Sequence, residues 1–124
     1  MTSMIWGAFL AAAALGAVAR HLVDRALVPN ARFPWATFAV NVAGAAGLGF
    51  LVGAGEQAQV APEIVIVVGG GFLGAFTTFS RFALDVVRLV ETKEPGTALA
   101  YVSLTLVTGL AGGAAGLMLG SAIA

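Results

Sequence analysis

Charge and hydropathy divide the chain into four long apolar runs, at residues 1–19, 33–55, 64–80 and 95–124, none of which contains a charged side chain. About 20 apolar residues cross a hydrocarbon core as a helix, so each run is read as a membrane span. The third is the shortest, but it can lengthen through Phe82, Ala83, Leu84, Val86 and Val87 if Arg81 and Asp85 face protein or water. The spans are predicted at about 4–26, 35–52, 62–90 and 96–121, which makes residues 1–124 one all-α, four-helix transmembrane domain.

Inside the third span the pattern changes. Residues 69–80 read GGGFLGAFTTFS, with four glycines and three hydroxyls together. A glycine in a helix interior costs roughly 1 kcal/mol relative to alanine, so Gly69, Gly70, Gly71 and Gly74 are expected to loosen or open the helical ladder, with the third helix broken near 71–79. Lipid offers no hydrogen-bond partners, so broken backbone at membrane depth survives only where it is buried in protein or lines a wet cavity. The break is therefore the candidate site.

Composition supports the membrane reading, with 60% hydrophobic and 10% charged residues against about 25% charged in soluble proteins. With no cysteine, thiolate chemistry and cysteine metal sites are excluded, and a formal net charge of zero gives no argument for nucleic acid. Ala17, Val18 and Ala19 spell a signal-cleavage pattern, but no basic n-region precedes it, so the segment is read as the first span.

In span 1, Gly16, Arg20 and Asp24 share one helical face. Arg20 either snorkels to the interface beside Asp24 or faces a cavity, where it would concentrate anions. Pro29 and Pro34 bracket the first loop, and Trp35 is an interfacial anchor opening span 2. Asn41 lies one turn after Thr37, as interhelical glue or as a donor in a conduit. Gly69, Gly71 and Gly74 match the dinucleotide pattern G-x-G-x-x-G, but that fingerprint belongs to a soluble βαβ unit and both flanks here are membrane spans. Phe72, Phe76 and Phe79 recur at helical spacing among Thr77, Thr78 and Ser80; such a stripe packs, or presents the positive ring edges to an anion. Arg81, Asp85 and Arg88 share a face as an ion-pair ladder toward Glu91, Lys93 and Glu94. In span 4, Tyr101, Thr105 and Thr108 form a hydroxyl stripe, either bonded to the helix's own carbonyls or lining a pore, and Gly112, Gly116 and Gly120 form a small-residue packing face. With one histidine and neither H-E-x-x-H nor G-x-S-x-G, no enzymatic chemistry is indicated.

Gly16 to Arg20, the TFAVNVAG string around Asn41, GFLGAFTTFS from Gly71, and the Tyr101 and Thr105 step together resemble the Fluc fluoride channels, also called CrcB or camphor-resistance proteins, over nearly the whole chain. The resemblance implies a four-helix subunit that pairs antiparallel with an inverted copy of itself, a dual-topology homodimer with two fluoride pores. It implies a passive leak that exports cytoplasmic fluoride across the cell inner membrane, with fluoride and membrane lipid as partners and no organic cofactor. By the same resemblance Phe76 and Phe79 are the pore phenylalanines, Asn41 faces them with Thr77, Thr78 and Ser80, Tyr101 and Thr105 continue the polar track, and Arg20 is the vestibule arginine. The Gly71 and Gly74 carbonyls are implied to hold a structural sodium ion at the dimer axis. Arg81 departs from the threonine or serine common in the family, and Asp85 from its glutamate.

Sidedness conflicts with dual topology. Arg20, Arg25 and Arg32 follow span 1, Arg81, Arg88 and Lys93 accompany the end of span 3, and no Lys or Arg flanks the opposite side. The positive-inside rule then places both termini outside the cytoplasm. Either Arg20, Arg81 and their paired neighbours do not count as loop charge, or the chain prefers one orientation and pairs with an inverted paralogue. Two other functions fit four spans. A small multidrug-type proton antiporter needs a membrane-centred carboxylate, and span 1 offers only Asp24 near its end; a membrane assembly subunit needs only the glycine faces.

Overall fold

The computed structural model describes residues 2–27, 32–57 and 60–123, so Pro29 lies outside the described residues. Helix α1 is Ser3–Ala26, α2 is Trp35–Glu56, α3 covers 62–76, α4 is Phe79–Glu91 and α5 is Pro95–Ala122. Among the described residues four helices are long and apolar enough to cross a membrane, and α3 with α4 forms the third, Pro62–Glu91. The protein is a multi-pass membrane protein with an interrupted third span.

The helix starts follow local chemistry. The Thr2 hydroxyl accepts the Ile5 N–H, and Pro62 and Pro95 occupy first-turn positions whose amides have no helical acceptor. Helix α4 ends in a Schellman turn, with the Glu94 N–H bonded to the Leu89 carbonyl at 2.8 Å and the Lys93 N–H to that of Val90 at 3.1 Å. Lys93 sits there at φ 62°, a left-handed position that favours glycine, and the turn sends α5 back along α4.

Glycine sets the closest helix contacts. On α2, Gly49 and Gly53 lie against the Gly113 and Leu117 carbonyls; on α5, Gly116 and Gly120 lie against those of Ala46 and Phe50. A Cβ at any of these would collide with facing backbone. Lipid tails give apolar helices no hydrophobic reason to associate, so this close backbone approach supplies the packing. Gly112, on the same face of α5, has only ordinary contacts near 3.7 Å. Helix α1 runs beside α3 in the same direction, with Gly16 against the Phe72 carbonyl.

One end of the bundle is aromatic and charged. Leu89, Ala98 and Tyr101 form a buried cluster packed by Phe33, Phe38, Phe82 and Val86. All six Lys and Arg residues belong to this end, on the last part of α1, the α1–α2 loop, α4 and the turn after it. Glu56 and Glu63 mark the other end. Among the described residues the ion pairs are Arg81–Asp85 at 3.0 Å and Arg32–Glu94 at 3.5 Å. The expected ladder therefore stops after its first rung. Glu94 turns to the α1–α2 loop because the Schellman turn carries it away from α4, and Asp24 is not bonded to Arg20.

Replacing Gly116 with valine should wedge α2 from α5 and destabilise the fold by about 1–3 kcal/mol, the usual cost of overpacking. Gly109, with nothing within 4 Å of its Cβ position, should accept valine with little loss. Unfolding curves in mixed micelles of the two variants check the contrast.

Candidate functional site

The glycines do not break the third span. Residues Val65–Leu73 are wound as a π-helix, and the Gly74 N–H is shared between the Gly69 and Gly71 carbonyls. The wider winding keeps the backbone bonded, while small residues let α1 approach. Gly71 is buried with its Cβ position 2.8 Å from the Phe9 carbonyl oxygen and 3.3 Å from Ala12 Cβ.

The break falls a turn later, at the two threonines. Thr77 and Thr78 are extended, with ψ values of 162° and 126°, between the end of α3 at Phe76 and the start of α4 at Phe79. The Thr77 hydroxyl donates to the Leu73 carbonyl at 3.0 Å, and the Thr77 N–H reaches the same oxygen at 3.0 Å. The Thr78 side chain caps α4 by accepting the Arg81 N–H at 3.1 Å, and its hydroxyl lies 3.3 Å from that of Ser80. Threonine suits both ends of such a gap: the Thr78 hydroxyl substitutes for the missing backbone acceptor, and the Thr77 hydroxyl adds a second bond to the last helical carbonyl.

Asn41 of α2 closes the gap. Its carboxamide oxygen accepts the Thr78 N–H at 2.8 Å and its nitrogen donates to the Thr78 carbonyl at 2.9 Å, so one side chain pairs with both polar groups of one residue. Gly44, one turn along α2, is buried against the Thr77 methyl, and a Cβ there would displace it. Asn41 thus acts as glue, while one hydrogen on its amide nitrogen stays uncommitted.

These substitutions release backbone groups. In a continuous helix the Gly74 carbonyl would accept from Thr78 and the Thr77 carbonyl from Arg81, but those amides are taken by Asn41 Oδ1 and Thr78 Oγ1. Gly71 differs, since its carbonyl shares the Gly74 amide. Across the gap, the Phe79 and Ser80 amides are first-turn donors of α4, where the helix dipole is positive. Free acceptors and free donors therefore lie on either side of the break within the third span. A groove of about 360 Å³ opens beside them, lined by Asn41, Gly44, Leu73, Gly74, Thr77, Thr78 and Phe79.

The other expected residues divide. Phe79 is 80% exposed, an unusual state for an aromatic ring beside polar groups. Phe76 does not pair with it but stacks on Phe72 at 5.9 Å, on the α3 side of the break. The aromatic neighbour of Phe79 is Phe82, at 6.0 Å, and Phe82 in turn lies 5.0 Å from Tyr101. The same three-residue spacing joins 76 to 79 and 79 to 82, so spacing does not distinguish the pairs.

Tyr101 is fully buried, and its hydroxyl donates to Asp85 Oδ2 at 3.2 Å. That contact links positions 16 residues apart across a turn and has no signature in periodicity. Thr105 has a buried Oγ1 with no hydrogen-bond partner, and so does Arg20 at Nε. Neither is brought into bonding contact with Asn41 or Phe79. Among the described residues no group of three or more His, Cys, Asp or Glu side chains is placed to hold a metal ion.

An interrupted membrane helix, a carboxamide from a neighbouring helix and free backbone groups at the same depth define the class: a small four-span membrane transport protein. The chain belongs to the CrcB-like, camphor resistance family, whose description matches residues 7–117. It is 44% identical over 115 residues to the fluoride-specific ion channel FluC of Rhodospirillum centenum, covering 90% of this chain and 91% of that one. It is 43% identical over 121 residues to FluC 1 of Symbiobacterium thermophilum, with 94% and 98% covered, and 38% identical over 109 residues to FluC 1 of Ligilactobacillus salivarius, with 87% and 92% covered.

Replacing Asn41 with alanine strands the Thr78 amide, at about 1–3 kcal/mol for a group left unpaired, while the Thr78 carbonyl, as the N-cap carbonyl of α4, keeps the first bond of that helix. Amide hydrogen exchange should therefore accelerate at residues 77–81 while α2 and α5 keep their protection.

Proposed function

We propose that the chain is a passive, fluoride-selective channel of the cell inner membrane and not an enzyme. The observation that carries this reading is the mid-span break clasped by Asn41, which leaves unspent hydrogen-bond donors where a lipid-facing helix would have none. The names of its relatives supply the identity of the ion. Neutral HF crosses bilayers and dissociates in a less acidic cytoplasm, so a leak for the anion alone lowers internal fluoride without an energy source.

A small, strongly hydrated anion needs hydrogen-bond donors to replace its water. Arg20 raises the local anion concentration. The second amide hydrogen of Asn41, the Thr78 and Ser80 hydroxyls and the first amides of α4 then offer donors in series. Phe79 turns a ring edge toward the same space, with Phe82 rather than Phe76 as its geometric partner. Thr77, its hydroxyl tied to Leu73, helps by shaping the break, Tyr101 walls the track and Thr105 extends it into α5. Distributed weak sites of this kind admit an ion and release it.

The exposed Phe79 and the open groove support completion by a second subunit, lying antiparallel and giving two pores per dimer. A structural sodium ion at the dimer axis would be held by backbone oxygen. Gly74, exposed and with its carbonyl released, fits that role, and the Thr77 carbonyl is released in the same way; Gly71, buried under α1, fits it less well. The ion would supply positive charge where two rows of carbonyl oxygen approach.

The clustering of all six cations at one end favours one membrane orientation, because acidic neighbours count little in the positive-inside rule. An antiparallel partner is then an inverted paralogue rather than an identical copy. With the chain expressed alone, a cysteine at Gln57 should be labelled from the periplasmic side only; labelling from both sides would restore the homodimer.

Liposomes containing the chain, with its inverted partner where orientation proves fixed, should release fluoride rapidly and chloride negligibly, as followed by ion-selective electrodes. Equal release of both anions would overturn the reading. Phe79→Ile should retain folding and lose most of the fluoride flux, while Phe76→Ile should lose much less.

A further inference from the structure

A second polar constellation lies one turn of α4 beyond the break, where Asp85 is 6% exposed although it is a carboxylate in a membrane span. Both its oxygens are engaged: Oδ1 accepts from Arg81 Nε at 3.0 Å, and Oδ2 accepts from the Tyr101 hydroxyl at 3.2 Å. Tyr101 is itself fixed, its ring 5.0 Å from Phe82 and 5.4 Å edge-on from Phe33. An i,i+4 pair on a solvated helix face contributes little. This pair is different, because one partner is sealed and bonded across to another helix.

The constellation is also joined to the break. Arg81 donates its backbone N–H to the Thr78 hydroxyl, and Phe82 bridges Phe79 and Tyr101. On its other side lies a cleft of about 250 Å³ whose charged lining is Asp24, Arg32, Arg81, Asp85 and Arg88. An anion moving from the donors at the break into that cleft passes a buried carboxylate. Unpaired, that carboxylate would repel it through a medium of low dielectric.

We propose that Arg81 is a positioning residue for anion passage: bonded to Asp85, which the Tyr101 hydroxyl locks in place, it cancels the buried carboxylate beside the path. This rests on the fluoride-channel reading. The arginine supplies charge balance from within α4, one residue after Ser80, so the carboxylate is tolerated without leaving its site. Tyr101 accordingly serves as a fixed wall of the path, its hydrogen committed to Asp85, rather than as a donor to the passing ion.

The test uses the full chain reconstituted as for the wild type. R81Q should lower fluoride efflux at least tenfold, R81K should recover much of it, and the double variant R81Q/D85N should recover most of it, because the stranded charge is gone. Wild-type efflux in R81Q, or a double variant as slow as R81Q, would overturn the proposal. The chain has a single tyrosine, so the hydrogen-bond-sensitive doublet of tyrosine in ultraviolet resonance Raman reports Tyr101 alone. It should show a strong donor in the wild type and in R81Q, and a weaker one in D85N. A doublet unchanged by D85N would refute the lock independently of flux. Wild-type liposomes that do not discriminate fluoride from chloride would instead overturn the channel reading and the role in passage with it, with the Raman comparison still deciding whether the lock exists.

Discussion

The structure depends on one pairing, that of the Asn41 carboxamide with the amide and carbonyl of Thr78. A membrane interior does not tolerate an open peptide, so a span can be interrupted only if something else supplies the missing partners. Here α2 supplies one with a side chain, and the Thr78 hydroxyl supplies another by accepting the Arg81 N–H. The gap is thereby stable, and its cost is shifted onto the Gly74 and Thr77 carbonyls and the first amides of α4. Those are the groups with capacity left for an ion.

The remaining architecture serves that pairing. Asn41 can reach Thr78 only because Gly44 admits the Thr77 methyl, and α1 can lie along α3 only because Gly16 admits the Phe72 carbonyl. The facing glycines of α2 and α5 fix those two helices as one block, against which the broken span is held. The charged end closes around Tyr101, where three aromatic rings and one carboxylate meet. Packing, polar closure and sidedness thus come from separate stretches of the chain that meet at the same broken turn.

The spans, the interrupted third helix and the family were legible in the sequence, because charge-free length and a dense motif are local signals. The cause of the break was less so. Glycine propensity pointed to residues 69–74, yet those glycines stay helical with wider winding, since the space they leave is used by α1. The chain opens at Thr77 and Thr78 because an acceptor and a donor arrive from α2, a contact 37 residues away in sequence. Asn41 itself was visible as a polar residue in an apolar span, though not its partner. The Asp85–Tyr101 bond is a tertiary fact that helical spacing leaves open.

The central claim is that Asn41 both closes the break and leaves a donor for the anion. Asn41→Asp separates these roles, because the carboxylate still accepts the Thr78 N–H while the amide donor is lost and a negative charge is added. Fluoride efflux from liposomes measured beside the unfolding midpoint of the same variant should show transport abolished in a protein that remains folded. Fluoride efflux at the wild-type rate through Asn41→Asp would contradict the account.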